Sequence, residues 1–93
     1  MVLVIDELEQ TCMACPSQWQ GKLRNGHTIY VRYRWGYLSV RTSEEPTDNY
    51  DDAVRGIEIF GEQIGEGFDG FISTMTMLNR IQDVAIIGNE NVL

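Results

Sequence analysis

The chain has 93 residues, 43% of them apolar, and a formal net charge of −7. This length and apolar content fit a single domain over residues 1–93 and exclude an intrinsically disordered chain. No apolar run approaches the roughly 20 residues of a membrane-spanning helix. The short apolar start at residues 1–5 is followed at once by acidic residues, unlike a signal peptide. We therefore expect a cytoplasmic protein with no membrane partner.

Residues 2–15 are compatible with either a helix or a strand. Val4, Leu8 and Cys12 recur at helical spacing, whereas residues 2–5 could begin a strand. The pattern favours a helix that ends before Pro16, because the residue preceding a proline is disfavoured in the helical conformation.

Residues 18–43 predict an antiparallel meander of three strands. Asn25 and Gly26 both tolerate the positive φ of a type I′ hairpin turn, and Gly36 permits a second tight turn. Alternation along the second and third strands predicts one inward and one outward face. The inward set is Ile29, Val31, Tyr33, Trp35, Leu38 and Val40, and the outward set is Tyr30, Arg32, Arg34, Tyr37, Ser39 and Arg41.

The second half of the chain predicts helices. Apolar residues mark one face of a helix over residues 50–64, and Gly65 and Gly67 end it. Ser73 is suited to cap a further helix, and residues 84–87 predict a last strand or a docked tail. The expected fold class is α+β, with a three-stranded or slightly larger antiparallel meander packed against two or three helices. The face of the first of these helices is marked by Tyr50, Ala53, Val54, Ile57, Phe60 and Ile64.

No catalytic motif stands out, so we expect a non-catalytic protein without a cofactor. His27 is the only histidine, and on a strand beside a tight turn it is more typical of a structural hydrogen bond than of a general base. Cys12 and Cys15 have the spacing of redox dithiols and of half a zinc site, but a zinc site needs four ligands. Two semi-buried thiols are the expectation, and zinc binding by this pair stays open.

Charge is divided sharply along the chain. Residues 11–43 contain five basic residues and no acidic one, whereas residues 44–93 contain eleven acidic residues against two basic ones. The alternation gathers three arginines and two tyrosines on the outward face of the meander. Arginine offers a planar donor fork that fits phosphate, and tyrosine offers a ring for stacking. The predicted ligand-binding residues are Tyr30, Arg32, Arg34, Tyr37 and Arg41, and the predicted ligand is an anion such as a nucleotide or an RNA segment.

Three alternatives stay open at this point. The acidic second half could lie across the arginines and neutralise them internally. The acidic half could instead act as a protein–protein inhibitor or adaptor, imitating nucleic acid in the cleft of a host protein. An exposed arginine and tyrosine surface could also form a homodimer. The acidic residues concerned are Glu44, Glu45, Asp48, Asp51, Asp52, Glu58, Glu62 and Glu66.

The run over residues 15–26, CPSQWQGKLRNG, and its continuation over residues 29–36, IYVRYRWG, resemble short uncharacterised proteins encoded by phages and prophages. The resemblance covers roughly residues 15–41 and supplies no functional residues. It implies that binding and inhibiting a host defence component, as anti-CRISPR proteins do, is a plausible role for a chain of this size.

Overall fold

The computed structural model describes residues 2–14 and 16–88, which form one curled sheet with two short helices. Within these ranges the sheet has six strands in the spatial order β5-β4-β3-β2-β1-β6, and all neighbours are antiparallel except β1 and β6. The strands are β1 (Leu3–Cys12), β2 (Ser17–Leu23), β3 (Thr28–Arg34), β4 (Tyr37–Thr42), β5 (Ile57–Gln63) and β6 (Ala85–Ile87); the helices are α1 (Asp51–Val54) and α2 (Thr74–Ile81).

The hydrophobic core lies between α2 and one face of the sheet. Ser73 caps α2, its hydroxyl accepting a hydrogen bond from the Thr76 amide, as its sequence position predicts. Met77 and Ile81 then face the sheet and are fully buried. The side chains that α2 covers are the inward residues of β1 to β4, including Ile5, Trp19, Leu23, Ile29, Val31, Tyr33, Leu38 and Val40.

The opposite face of the sheet is covered only in part. The carbonyl of Asn49 accepts a hydrogen bond from the outward side chain of Thr28, and Ala53 of α1 is fully buried. Just after α1, the carbonyl of Gly56 accepts a hydrogen bond from the guanidinium group of Arg41. Residues 49–56 therefore cover the end of this face near Thr28 and leave the end near Arg34 open.

The expectation of a three-stranded meander packed against two or three helices is wrong. The three predicted strands are present, but within a sheet of six, and 47% of the described residues are in strands and 14% in helices. Residues 2–15, expected to form a helix, contain β1. Of residues 50–64, also expected to form one helix, 57–63 form β5 and 51–54 form the single turn α1.

Each of the two mispredicted strands contains a β-bulge. In β1, Ile5 lies opposite Leu23 and Leu8 lies opposite Gly21, with an irregular register between them. The extra residue puts two inward side chains three positions apart, which is the spacing of a helix rather than of a regular strand.

In β5 the same irregularity separates Ile57 from Phe60. These residues lie opposite Thr42 and Val40, which share one face of β4, and the register shifts between them. Their separation of three again imitates a helical stripe.

At the C-terminal side, β6 pairs in parallel with β1 after the α2 crossover. Residues 84–87 were predicted as a strand or a docked tail, and the strand is the outcome. No helix within the described ranges is long and apolar enough to span a bilayer.

Candidate anion-binding face

The five predicted ligand-binding residues lie on one face of the sheet, which we call the Arg/Tyr face. Tyr30 lies directly opposite Arg41, and Arg34 lies directly opposite Tyr37. Between these two pairs, Arg32 lies opposite Ser39. Since opposed residues in a sheet point to the same side, these side chains form three adjacent rows.

Carboxylates neutralise some basic side chains and not others. Arg24 is 3.0 Å from Asp6, and Lys22 contacts Asp48. Arg55 and Arg80 pair with Asp52 and Glu62, at 3.4 Å and 3.5 Å. All seven basic residues fall within the described ranges, and the three that make no salt bridge there are Arg32, Arg34 and Arg41, the arginines of the Arg/Tyr face.

Arg32 occupies the centre of this face and is incompletely bonded. Its Nε atom is buried and has no hydrogen-bond partner among the described residues. A buried donor without an acceptor costs about 1–3 kcal/mol. Arg32 therefore keeps its charge in the sheet at an energetic cost that the described residues do not offset.

A groove opens on the Arg/Tyr face next to Arg32. It has a volume of about 270 Å³ and contains three of the predicted residues together with two that the sequence analysis did not assign to the site. Ser39 was placed outward but given no role, and Trp35 was placed inward. The groove is lined by Arg32, Arg34, Trp35, Tyr37 and Ser39.

Trp35 does not lie on the inward face, because the chain reverses direction at this residue. Trp35 and Gly36 form the two-residue loop between β3 and β4, with φ values of 57° and 73°. Both positive values are those of a type I′ turn, which twists in the same sense as the strands. A positive φ is unusual for a bulky residue, and the indole ring is 55% exposed.

Residues 63–69 hold this turn in place. The Gln63 side-chain amide donates to the Trp35 carbonyl at 2.8 Å, and the Gly36 amide donates to the Asp69 carbonyl at 2.8 Å. Asp69 is itself fixed by the Tyr33 hydroxyl, which donates to its carboxylate at 2.7 Å. Burial and the adjacent Asp69 raise the pKa of Tyr33 to about 12. Tyr33 therefore stays protonated and keeps donating at neutral pH.

The exposed ring of Trp35 contacts two further side chains. The Arg34 guanidinium lies 5.0 Å from its centroid, within cation–π range. Phe68 meets it edge-on, with 6.5 Å between centroids and 68° between planes. A second cavity, of about 120 Å³, opens on this side of the turn and is lined by Arg34, Trp35, Phe68 and Gly70.

Tyr37 lies along the sheet rather than away from it. Its hydroxyl donates to Glu58 at 3.2 Å, and desolvation followed by the Glu58 charge raises its pKa. The ring crosses Gly61, where a Cβ atom would collide with the hydroxyl. This contact fixes one wall of the groove.

Tyr30 and Arg41 lie beside the groove and do not line it. Arg41 donates from Nη1 to the Gly56 carbonyl at 3.1 Å, so one of its nitrogens is already bonded. Tyr30 is half-buried; burial raises its pKa, and the nearby charge of Arg32 acts in the opposite direction.

The predicted acidic helix does not cover the arginines. Glu58 and Glu62 lie on the edge strand β5, and Asp51 and Asp52 lie in the single turn α1. Glu44, Glu45 and Asp52 instead line a separate groove of about 290 Å³ with Ser43 and Arg55. The acidic residues are thus spread over several elements rather than along one helix.

The other candidate groups lie away from the groove. His27 is hydrogen-bonded through Nδ1 to the Ser43 carbonyl at 2.8 Å. Cys12 is a free thiol, and Cys15 lies outside the described residues, so the pair itself is not described. Within residues 2–14 and 16–88, no three His, Cys, Asp or Glu side chains cluster as metal ligands would.

Comparison of the chain with protein-family models, with curated proteins and with solved structures finds no match. A function is therefore inferred from the chain's own side chains. The arrangement offers a cationic donor fork, a hydroxyl and two aromatic rings around one open groove, which together suit a planar anion or a phosphate with an aromatic substituent.

Proposed function

We propose that this protein is a non-catalytic binding protein that captures a phosphate-bearing ligand, a nucleotide or a nucleic-acid segment, on its Arg/Tyr face. One observation carries the proposal. Among the described residues, four of the seven basic side chains pair with carboxylates, and the three that make no such pair lie on one face of the sheet. Like charges in neighbouring rows repel. Although Glu58 lies opposite Arg41, none of the three arginines makes a salt bridge among the described residues, which favours an external anion.

Arg32 and Arg34 are the main phosphate ligands in this proposal. The two guanidinium groups belong to adjacent rows of one strand, about 6.8 Å apart along it. A phosphate oxygen in the groove would bind the terminal guanidinium nitrogens of Arg32, for which no hydrogen bond is found among the described residues. Guanidinium–phosphate bonds are charge-assisted and can be bidentate, which makes them stronger than neutral hydrogen bonds.

Trp35 and Tyr37 supply the aromatic walls. Both rings border the groove that contains the arginines. An aromatic base has a π-face whatever its identity, so stacking stabilises a nucleotide with little dependence on sequence. Ser39 adds a hydroxyl that can donate to a phosphate or accept from a sugar.

The net charge of −7 does not preclude anion binding at this face. At physiological ionic strength the Debye length is about 8 Å, so distant exposed carboxylates are largely screened. The acidic groove is lined by other residues, Glu44, Glu45 and Asp52 among them. The local balance near Arg32 is therefore positive, although Glu58 lies within hydrogen-bond reach of Tyr37.

In the cell we propose a cytoplasmic role of the phage anti-defence type, in which a host signalling nucleotide or RNA is sequestered. The resemblance of residues 15–41 to phage-encoded proteins supports this role. We also propose that a homodimer formed through the same exposed face would compete with ligand binding.

The test replaces both main arginines with glutamate, as Arg32→Glu/Arg34→Glu. Arg24→Glu/Arg55→Glu is the matched control, because it changes the charge equally and removes only exposed ion pairs, each worth about 0–1 kcal/mol. A thermal-shift screen against inorganic phosphate, uridine 5′-monophosphate and octauridylate is the measurement.

A ligand at one hundred times Kd stabilises the native state by about 2.7 kcal/mol, a rise in Tm of roughly 10–20 °C for a domain this small. We expect that rise in wild type and control and its loss in the Arg32→Glu/Arg34→Glu variant. An equal rise in all three proteins would refute the assignment.

A second candidate function is a protein–protein inhibitor or adaptor that acts through acidic residues. It is favoured by the groove in which Glu44, Glu45 and Asp52 converge. Glu44→Lys/Glu45→Lys/Asp51→Lys reverses three exposed acids that make no side-chain salt bridge among the described residues. If the variant still binds anions, the Arg/Tyr face is supported as the binding site. If the variant no longer inhibits a host protein that the wild type inhibits, the second candidate function is supported.

A further inference from the structure

Two cavities share lining residues at the Trp35-Gly36 turn, one on the Arg/Tyr face and one beside residues 68–70. The groove of about 270 Å³ contains Arg32, Tyr37 and Ser39, and the cavity of about 120 Å³ contains Phe68 and Gly70. Both are also lined by Arg34 and Trp35, whose stacked side chains stand between them. A compact anion fits on one side of this wall, whereas an extended ligand reaches both sides.

The second cavity has the chemistry of a base-binding site rather than of a phosphate site. The Phe68 ring is 92% exposed, and Trp35 is 55% exposed beside it. With 92% of its surface exposed, Phe68 stays open to a third ring despite its T-shaped contact with Trp35. Arg34 is the only charged residue that lines this cavity, so it can hold the phosphate that precedes or follows a stacked base.

The positive groups form a line. Outward side chains along β3 repeat every two residues, or about 6.8 Å. Arg34, Arg32 and the row that contains Arg41 therefore extend over about 14 Å along the strand. A linear series of cations suits a chain of phosphates better than a single phosphate group.

We infer that the ligand is a single-stranded nucleic acid that crosses the Arg34–Trp35 wall, with its phosphates along the arginines and a base against Phe68. This inference rests on the proposed function and specifies its ligand. The open sheet face admits unpaired bases to the rings, whereas a duplex keeps its bases stacked internally and away from them.

The experiment compares octauridylate, an eight-base-pair RNA duplex, uridine 5′-monophosphate and inorganic phosphate by fluorescence titration. Trp35 is the exposed indole, and Trp19 is 1% exposed with its nitrogen bonded to Thr74, so a change in emission reports on the groove. We expect octauridylate to bind at least tenfold more tightly than the other three.

Salt dependence tests the line of arginines. For single strands, each neutralised phosphate contributes about −0.7 to the slope of log K against log[salt]. Three arginine–phosphate contacts therefore predict a slope near −2. Arg34→Gln should reduce the magnitude of that slope by about 0.7.

Phe68→Ala tests the base site. The substitution should weaken the binding of octauridylate on the order of tenfold, because base stacking on an aromatic ring contributes substantially to affinity. The affinity for uridine 5′-monophosphate should not change. Phe71→Ala is the control, because Phe71 is 55% exposed but lines neither cavity.

The outcomes separate the two proposals. Equal affinity for octauridylate and uridine 5′-monophosphate, equal affinity for the duplex, or no effect of Phe68→Ala overturns the single-strand inference while the proposed function stands. No binding of any of the four probes overturns both.

Discussion

Tyr37 and Gly61 are matched across two neighbouring strands: the phenol lies where any side chain at position 61 would stand. Tyr37 thereby reaches Glu58, to which its hydroxyl donates at 3.2 Å. The wall of the candidate groove thus depends on a residue without a side chain.

Gly61→Ala should therefore displace the Tyr37 ring and weaken ligand binding severalfold. The atom in the way is the far end of a side chain, so the free energy of unfolding should change by less than about 1 kcal/mol. Titration calorimetry and urea denaturation measure the two effects. Gly67→Ala is the control, because a Cβ there meets nothing within 4 Å. Unaltered affinity in Gly61→Ala would show that Tyr37 is not a wall of the site.

Trp35 has a backbone conformation that other residue types adopt more readily. Its φ of 57° is tolerated best by asparagine, and Asn-Gly is the preferred type I′ pair. Trp35→Asn should leave the free energy of unfolding unchanged or raise it by up to about 1 kcal/mol while reducing ligand affinity.

Gly36→Ala gives the opposite pattern at the next position. A Cβ there collides with the carbonyl oxygens of Gly65 and Glu66, and φ is 73°. It should lower the free energy of unfolding by more than 1 kcal/mol. Denaturation curves of both variants provide the check, and a Trp35→Asn protein that binds normally would remove Trp35 from the site.

Arg32 is expected to lower the stability of the ligand-free protein while it contributes to ligand binding. Because its buried Nε has no partner among residues 2–14 and 16–88, Arg32→Met removes an uncompensated donor and should raise the free energy of unfolding of the ligand-free protein by about 1 kcal/mol. The same change should abolish anion binding. Arg34→Met removes an exposed guanidinium, so it should impair binding with little effect on stability. A destabilised Arg32→Met protein would indicate a structural role for the guanidinium instead.

Tyr33 gives the protein a pH dependence in the alkaline range. Its pKa is raised from 10.0 to about 12 in the folded state by burial and by Asp69. Between these values the unfolded chain loses the phenolic proton while the folded chain keeps it, so the free energy of unfolding falls as pH rises. The contribution is complete below pH 10 and is lost by about pH 12.

Tyr33→Phe isolates this contribution. At pH 7 it should cost about 1 kcal/mol for the lost hydrogen bond to Asp69. The stability difference between wild type and variant should shrink from pH 10 to pH 12, as urea denaturation at a series of pH values measures. A difference that stays constant over that range would contradict the assigned pKa.

Part of this molecule follows from local sequence. Strict alternation over β3 and β4 places Arg32, Arg34 and Arg41 on one side, and a period of two is readable without any distant contact. Asn25-Gly26 and Ser73 are likewise local signals, one for a turn and one for a helix start. The predicted type I′ turn is wrong, however, because Gly26 has a positive φ and Asn25 does not.

Other parts depend on contacts that the sequence does not display. The bulges in β1 and β5 break the alternation and give apolar spacings typical of helices, so only pairing with β2 and β4 reveals two strands. Trp35 was misplaced because the two-residue loop that follows Arg34 interrupts the alternation.

The sequence by itself determined where positive charge accumulates, because the charge and the two-residue repeat of a strand are properties of neighbouring residues. Only the tertiary structure decided which arginines stay without carboxylates, since Asp6–Arg24 and Glu62–Arg80 each join residues 18 positions apart. It also brought Phe68 to Trp35 across 33 residues, and so formed the second cavity. Contacts over such separations are set by how the sheet folds rather than by any local pattern.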